Sequence, residues 1–206
     1  MKLKEVINKA VRITIIPSHQ WKIVRDEACT PKSLLWEYGF PIILFSSIGR
    51  TIGVLFSTLP VLGFSLKLIS VLLFNLVSWV AIPYILILSA AYVLKWGLPE
   101  MGIENDLIKS LKLVLYTFTP VFIFTFFVYL HPLLRILIPM GIYVFIAYTL
   151  YVFWYGVREL FEVPLEKKIG LIVVSIVLAF GAMFLAQHLY GLLIDLIIPG
   201  METYVK

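Results

Sequence analysis

Residues 40–62 read FPIILFSSIGRTIGVLFSTLPVL. Arg50 is the only charge in this stretch, and most of the rest is apolar. About 20 such residues, coiled as an α-helix, cross the hydrocarbon of a bilayer. Four more segments of the same character follow, near residues 68–94, 108–130, 133–156 and 169–197. Over the whole chain 61% of the 206 residues are hydrophobic and 14% are charged, and the mean hydropathy is +1.00. Soluble domains are about 45–50% apolar and about 25% charged. A chain this small has no core large enough for the surplus, so its solvent is lipid. Backbone groups in lipid must be satisfied inside each segment, which requires helices rather than open strands. The expectation is an all-α integral membrane protein whose five transmembrane helices occupy residues 39–199, with a short tail at 200–206. The second and fifth segments exceed one span and must tilt or emerge from the hydrocarbon. The fourth has two candidate beginnings, Pro132 and Pro139.

Residues 1–38 are the long polar stretch, and a cytoplasmic, amphipathic N-terminal segment is expected there. Charges recur through all of it, unlike a secretory signal with its single apolar run. Leu3, Val6, Ile7, Ala10 and Ile13 recur at helical spacing, with Lys2, Lys9 and Arg12 elsewhere. Two readings stand: a helix lying on a membrane surface, or a helix whose apolar face packs on the protein's own spans. Pro17 ends it, and a second short helix carries Trp21 and Val24. Thr30-Pro31 reads as an N-cap followed by proline at the first helical position. Pro41 is expected to bend the entry to the first span.

Loop charges test the span count. With five spans and a cytoplasmic N-terminus, thirteen of the 17 basic residues lie inside, and Lys67, Arg135 and Lys206 lie outside; the remaining one is Arg50. Such a bias obeys the positive-inside rule, and adding or dropping one span destroys it. Trp36, Trp96 and Trp154 then fall at the cytoplasmic interface, and with Trp21 they are the expected interface anchors. The location expected is a cell (inner) membrane with the C-terminus outside.

Several stretches, in order, resemble a known family. They are Pro17-Ser18-His19-Gln20-Trp21-Lys22-Ile23, the Gly49/Gly53 pair, the polar loop 97–106, Leu115-Tyr116-Thr117-Phe118-Thr119-Pro120, and Tyr155-Gly156-Val157-Arg158 through Val163-Pro164-Leu165-Glu166-Lys167-Lys168. The chain is similar over roughly residues 14–195 to the Yip family of Ypt/Rab GTPase-interacting proteins, in its prokaryotic five-span inner-membrane branch. The resemblance implies five spans, a cytoplasmic N-terminus and no enzyme activity. It also implies association with relatives and, in eukaryotic members, with small GTPases. Small-GTPase binding is not carried over, because the long polar N-terminal region and the Asp-Leu-Tyr-Gly-Pro motif of those members are missing here.

Arg50 is the most unusual residue. A mid-span charge costs about 2.5–3.5 kcal/mol on insertion scales and needs a partner. Counted from the cytoplasmic ends, Arg50, Pro83 and Pro120 fall at one depth. Each proline frees the carbonyl four residues earlier, here those of Trp79 and Tyr116, with Ser78, Thr117 and Thr119 close by and Tyr143 and Tyr148 within reach. Two readings follow: a midplane polar site for an anion or lipid head group, or a structural pin. Gly49, Gly53 and Ser57 form a small-residue face that lets helices approach closely, within the monomer or between copies. Ser175, Ala179, Ala182, Met183 and Ala186 suggest a similar face on the fifth span.

No catalytic constellation is present. Glu100, Glu104 and Asp106 match no calcium loop, and Asn105 or Asp106 reads as a helix cap. His19, His131 and His188 have no metal-ligand spacing, and the lone Cys29 lacks a partner for a disulfide. His188 with Gln187 reads as a polar contact between helices, and Asp195 is the one acid inside a span. No cofactor, metal or nucleic acid is expected. The expected partners are the lipid bilayer and other membrane proteins or a second copy. The functional expectation is a non-enzymatic protein that scaffolds partners or organises the membrane. The alternative is a small transporter or channel, or a lipid-handling protein, built on Arg50.

Overall fold

The computed structural model of the chain describes residues 3–100, 102–103, 106–130 and 138–161, and in the fifth apolar segment residues 170, 173, 181, 184–185, 188 and 190–192. Every described element is a helix. Helix α1 is Leu3–Ile15 and α2 is Pro17–Asp26. Helix α3 is Pro31–Leu62 and α4 is Leu66–Glu100. Helix α5 is Leu107–Leu130 and α6 is Ile138–Leu160. Three described helices, α3, α4 and α5, are long and apolar enough to cross a membrane.

The local signals act as their chemistry requires. Pro17, which has no N–H to extend α1, stands at the first position of α2. Thr30 Oγ1 accepts from the Ser33 N–H at 3.1 Å, and Ser33 Oγ accepts from the Thr30 N–H at 3.0 Å. This reciprocal cap starts α3, with Pro31 behind it. At Pro41 the entry widens into a π-helical stretch over Leu34–Gly39, and the Phe40 N–H reaches back to the Leu35 carbonyl. The wide turn accommodates a proline that cannot donate to the carbonyl four residues before it. Asp106 Oδ1 caps α5, accepting from Ile108 N–H at 2.7 Å and Lys109 N–H at 3.2 Å. Helix α6 is described from Ile138, so Pro139 stands in its first turn; Pro132 and His131 lie outside the described residues.

Helices α3 and α5 run side by side in the same direction. A Cβ on Gly39 would lie 3.2 Å from a Leu115 methyl, and one on Gly49 would lie 2.7 Å from Phe126 Cα. Helix α4 returns against α3, with Ser47 Oγ donating to the Trp79 carbonyl at 2.6 Å and Thr51 Oγ1 reaching Asn75 Oδ1 at 3.3 Å. Helix α6 runs back along α5, stacking Phe145 on Phe124 at 3.5 Å between ring centroids. Residues 110–117 of α5 are buried all round.

They are buried because the N-terminal helices cover them. Val6, Ala10 and Ile13 of α1 and Trp21 and Val24 of α2 belong to the same core as Leu113, Tyr116, Val152 and Val157. The apolar face read from α1 is therefore divided. Val6, Ala10 and Ile13 pack on the spans, whereas Leu3 and Ile7 stay exposed, together with Val11. Lys112, buried on α5, donates from Nζ to the carbonyls of Val24 and Glu27, both at 2.7 Å. A cation there meets the negative end of the α2 dipole. Lys9 pairs with Glu27 at 2.6 Å and closes α1 onto the end of α2.

Candidate functional site

Arg50 is held by aromatic rings. Its guanidinium carbon lies 3.4 Å from the centroid of Trp79, 4.4 Å from that of Tyr129 and 6.0 Å from that of Tyr190. A desolvated cation–π contact is worth about 2 kcal/mol, comparable to the cost of placing arginine in a span. A polar chain runs beside it. Thr51 Oγ1 donates to the Ser47 carbonyl at 2.8 Å and lies 3.3 Å from Asn75 Oδ1. Asn75 Nδ2 in turn donates to the Tyr190 hydroxyl at 2.8 Å. Tyr190 also packs on Trp79, with 5.4 Å between centroids. The site thus joins α3, α4, α5 and the fifth segment.

The residues expected at one depth form two clusters. Thr119 Oγ1 meets the Tyr38 hydroxyl at 2.9 Å and donates to the Leu115 carbonyl at 3.0 Å. Thr117 and Pro120 are buried on the same stretch of α5, and the Thr117 hydroxyl has no partner among the described residues. Tyr129, which touches Arg50, stands ten residues past Thr119, about 15 Å along the helix. The depth count erred in its starting point: Gly39, the origin taken for α3, packs on Leu115 rather than on the first residue of α5. On α4, Ser78 is buried, and the carbonyl that Pro83 frees at Trp79 is taken by Ser47. Tyr148 belongs to neither cluster: its hydroxyl donates to the Thr14 carbonyl. The side chain of Tyr143 lies outside the described residues.

Gly49 and Gly53 are buried. A Cβ at Gly49 would fall 2.7 Å from the Cα and carbonyl oxygen of Phe126, so the glycine serves a close approach of α3 to α5 within the monomer. Ser57 corrects the expected face. It is exposed and bonds its own helix, at the Gly53 and Val54 carbonyls, while Thr58 is buried beside it. The 100° step per residue carries position 57 off the contact stripe. Ser175, Ala179, Ala182, Met183 and Ala186 of the second small-residue face, with Gln187 and Asp195, lie outside the described residues.

The tryptophans divide likewise. Trp36 and Trp96 are exposed at 57% and 74%, and Trp154 is half-buried. Trp21 is a correction: it is 0% exposed. Its Nε1–H donates to the Val152 carbonyl at 2.9 Å, and its ring meets Tyr116 edge-on at 5.8 Å. Gly156 makes room for it, since a Cβ there would lie 2.7 Å from Trp21 Cζ2. A buried indole with a satisfied N–H is a core residue, and it cannot face head groups.

Among the described residues no group of His, Cys, Asp and Glu is placed to hold a metal. His19 is exposed, and His188 stacks on Phe184 with 6.3 Å between centroids. Beyond the spans, Arg25 holds the Asp26 carboxyl below its ordinary range. Burial pushes the Cys29 thiol up.

Sequence reasoning missed Asn75 and the ring partners of Arg50. Asn75, four residues before Trp79 in an apolar run, was the available signal, since i and i+4 share a helix face. Tyr129 and Tyr190 gave none, because long-range packing brings them in.

The Yip1 domain family model matches residues 11–186 of the chain. No curated protein and no solved structure matches it.

Proposed function

The chain belongs to the Yip1 domain family of membrane proteins, and from that membership we propose that it is a non-enzymatic, five-span scaffold that organises partners or lipid in an inner membrane, its N-terminus cytoplasmic. The family is generally non-enzymatic. The thirteen-to-three distribution of loop charges supports the span count and orientation. The observation that carries the scaffold reading is the packing of Arg50. Its guanidinium carbon lies over the Trp79 ring, 3.4 Å from the centroid, and 4.4 Å from the centroid of Tyr129. An arginine so placed acts as a pin between helices.

The second reading, a small transporter or lipid-handling protein, draws on Asn75. A fully buried amide beside Thr51 and Arg50 is an expensive feature for a span that only packs. One experiment separates the two: in-membrane cross-linking of a tagged copy at native level, with Arg50→Ala alongside and mass spectrometry of what is captured. The scaffold reading expects reproducible membrane-protein partners, or further copies of the chain, retained by the variant. Capture of a lipid or anion that the variant loses would replace it with the second reading.

A further inference from the structure

Helices α1 and α2 form a hairpin, and contacts with α6 measure its depth. At the open end Arg25 Nη1 lies 3.6 Å from a Glu159 carboxylate oxygen. Further in, Trp21 Nε1–H donates to the Val152 carbonyl at 2.9 Å. At the closed end the Tyr148 hydroxyl donates to the Thr14 carbonyl. The partners step along α6 from 159 to 152 to 148, away from its Leu160 end. Tyr148 stands six residues beyond Trp154, about 9 Å along the helix axis. If Trp154 marks the head-group level, the turn Ile15-Ile16-Pro17 sits that far inside it.

The chemistry of the turn suits that depth. Ile15 and Ile16 are 68% and 54% exposed. Tyr148, which meets the neighbouring Thr14 carbonyl, lies on α6 between Val144 and Tyr151, and both of these are exposed. Ile7 and Val11 extend the exposed apolar strip up α1. Lys4, Arg12 and Lys22 are exposed on the same hairpin. Lys22 follows Trp21, whose partner Val152 is two residues from Trp154. Arg12 lies one turn before Ile16 and is exposed, and a side chain of that length is able to carry its charge outward past apolar neighbours. The hairpin thus has an exposed apolar closed end and exposed cations set back from it, the arrangement that fits anionic lipid.

We infer that α1–α2 is a re-entrant hairpin that seats Ile15 and Ile16 among the acyl chains of one leaflet and holds Lys4, Arg12 and Lys22 against anionic lipid phosphates. The inference rests on the reading of α6 as a span. Both helices lie at one end of the bundle, so they widen it in that leaflet.

Depth-dependent fluorescence quenching tests this in the full chain. A fluorophore is attached to single cysteines made by Ile16→Cys, Lys22→Cys and Val144→Cys, each in a Cys29→Ser background. The proteins are reconstituted into vesicles of phosphatidylcholine and phosphatidylglycerol. Quenchers are lipid brominated on its acyl chains and acrylamide in the water. The labels at Ile16 and Val144 should be quenched by the brominated chains and shielded from acrylamide, and the Lys22 label should be reached by acrylamide. Bromine on phosphatidylglycerol should quench the Ile16 label more than bromine on phosphatidylcholine; equal quenching would overturn the anionic-lipid part. An Ile16 label open to acrylamide overturns the hairpin. The Val144 label then tells whether α6 still spans or that reading has failed as well.

Discussion

The fit of Trp21 against Gly156 supports a quantitative test, the substitution Gly156→Ala. The new Cβ would lie 2.6 Å from Leu113 Cδ1, 2.7 Å from Trp21 Cζ2 and 2.9 Å from Trp21 Cε2. The Leu113 methyl ends a flexible side chain and yields by rotation. The indole is rigid, wholly buried and tied through Nε1 to the Val152 carbonyl. Overpacking of this kind costs about 1–3 kcal/mol. Displacing the ring also weakens its hydrogen bond, worth about 1 kcal/mol. Against this, alanine gains about 1 kcal/mol over glycine in a helix. The net destabilisation expected is therefore about 1–3 kcal/mol. Reversible unfolding in mixed micelles of mild detergent and dodecyl sulfate, followed by circular dichroism, reads it. Trp21→Phe removes the ring atoms that clash, so the double variant should be less destabilised than the two single losses together. A neutral Gly156→Ala, or additivity within about 0.5 kcal/mol, would refute the argument, because independent sites add within that margin.

Three further outcomes follow from the same geometry. Gly49→Ala places a Cβ 2.7 Å from backbone atoms of Phe126, which cannot rotate away, so α3 and α5 must part; a loss of about 2 kcal/mol or more is expected in the same unfolding assay. Lys112→Met leaves the carbonyls of Val24 and Glu27 without their donor; it should cost about 1–3 kcal/mol and speed amide exchange at residues 17–27 more than in the rest of the chain. Burial raises the Cys29 thiol above its ordinary value, and only the thiolate reacts, so maleimide alkylation should climb at higher pH than for a free thiol. A pH midpoint at or below about 8.5, the ordinary value, would contradict this.

Much of the architecture was legible along the chain because its causes are local. Long apolar runs imply helices wherever lipid is the solvent, and Leu107–Leu130 departs by one residue from the run read at 108–130. Thr30, Pro31, Pro17 and Asp106 cap or stop helices through atoms within a few residues of themselves, so their roles needed no tertiary knowledge. The site was legible only in part. Arg50 was identified correctly as a charge in need of partners, but its partners were drawn from residues at a counted depth. That count assumed that spans begin at one level, and the packing of Gly39 on Leu115 shows that α3 and α5 do not.

The sequence by itself determined that this is a helical membrane protein, where the helices begun at Pro17, Thr30 and Asp106 start, and which residue is the costly one, because hydropathy, proline and capping act at short range. Only the tertiary structure decided that Trp21 is core, that α1 presents two different apolar faces, and that Arg50 rests on Trp79, Tyr129 and Tyr190. Those outcomes depend on the relative displacement of helices along their axes. In a chain with so many apolar positions, hydropathy is nearly the same for every displacement. The displacement is set by a few close fits, Gly49 on Phe126 and Gly156 on Trp21, and by single polar bonds such as that of Lys112 to Val24.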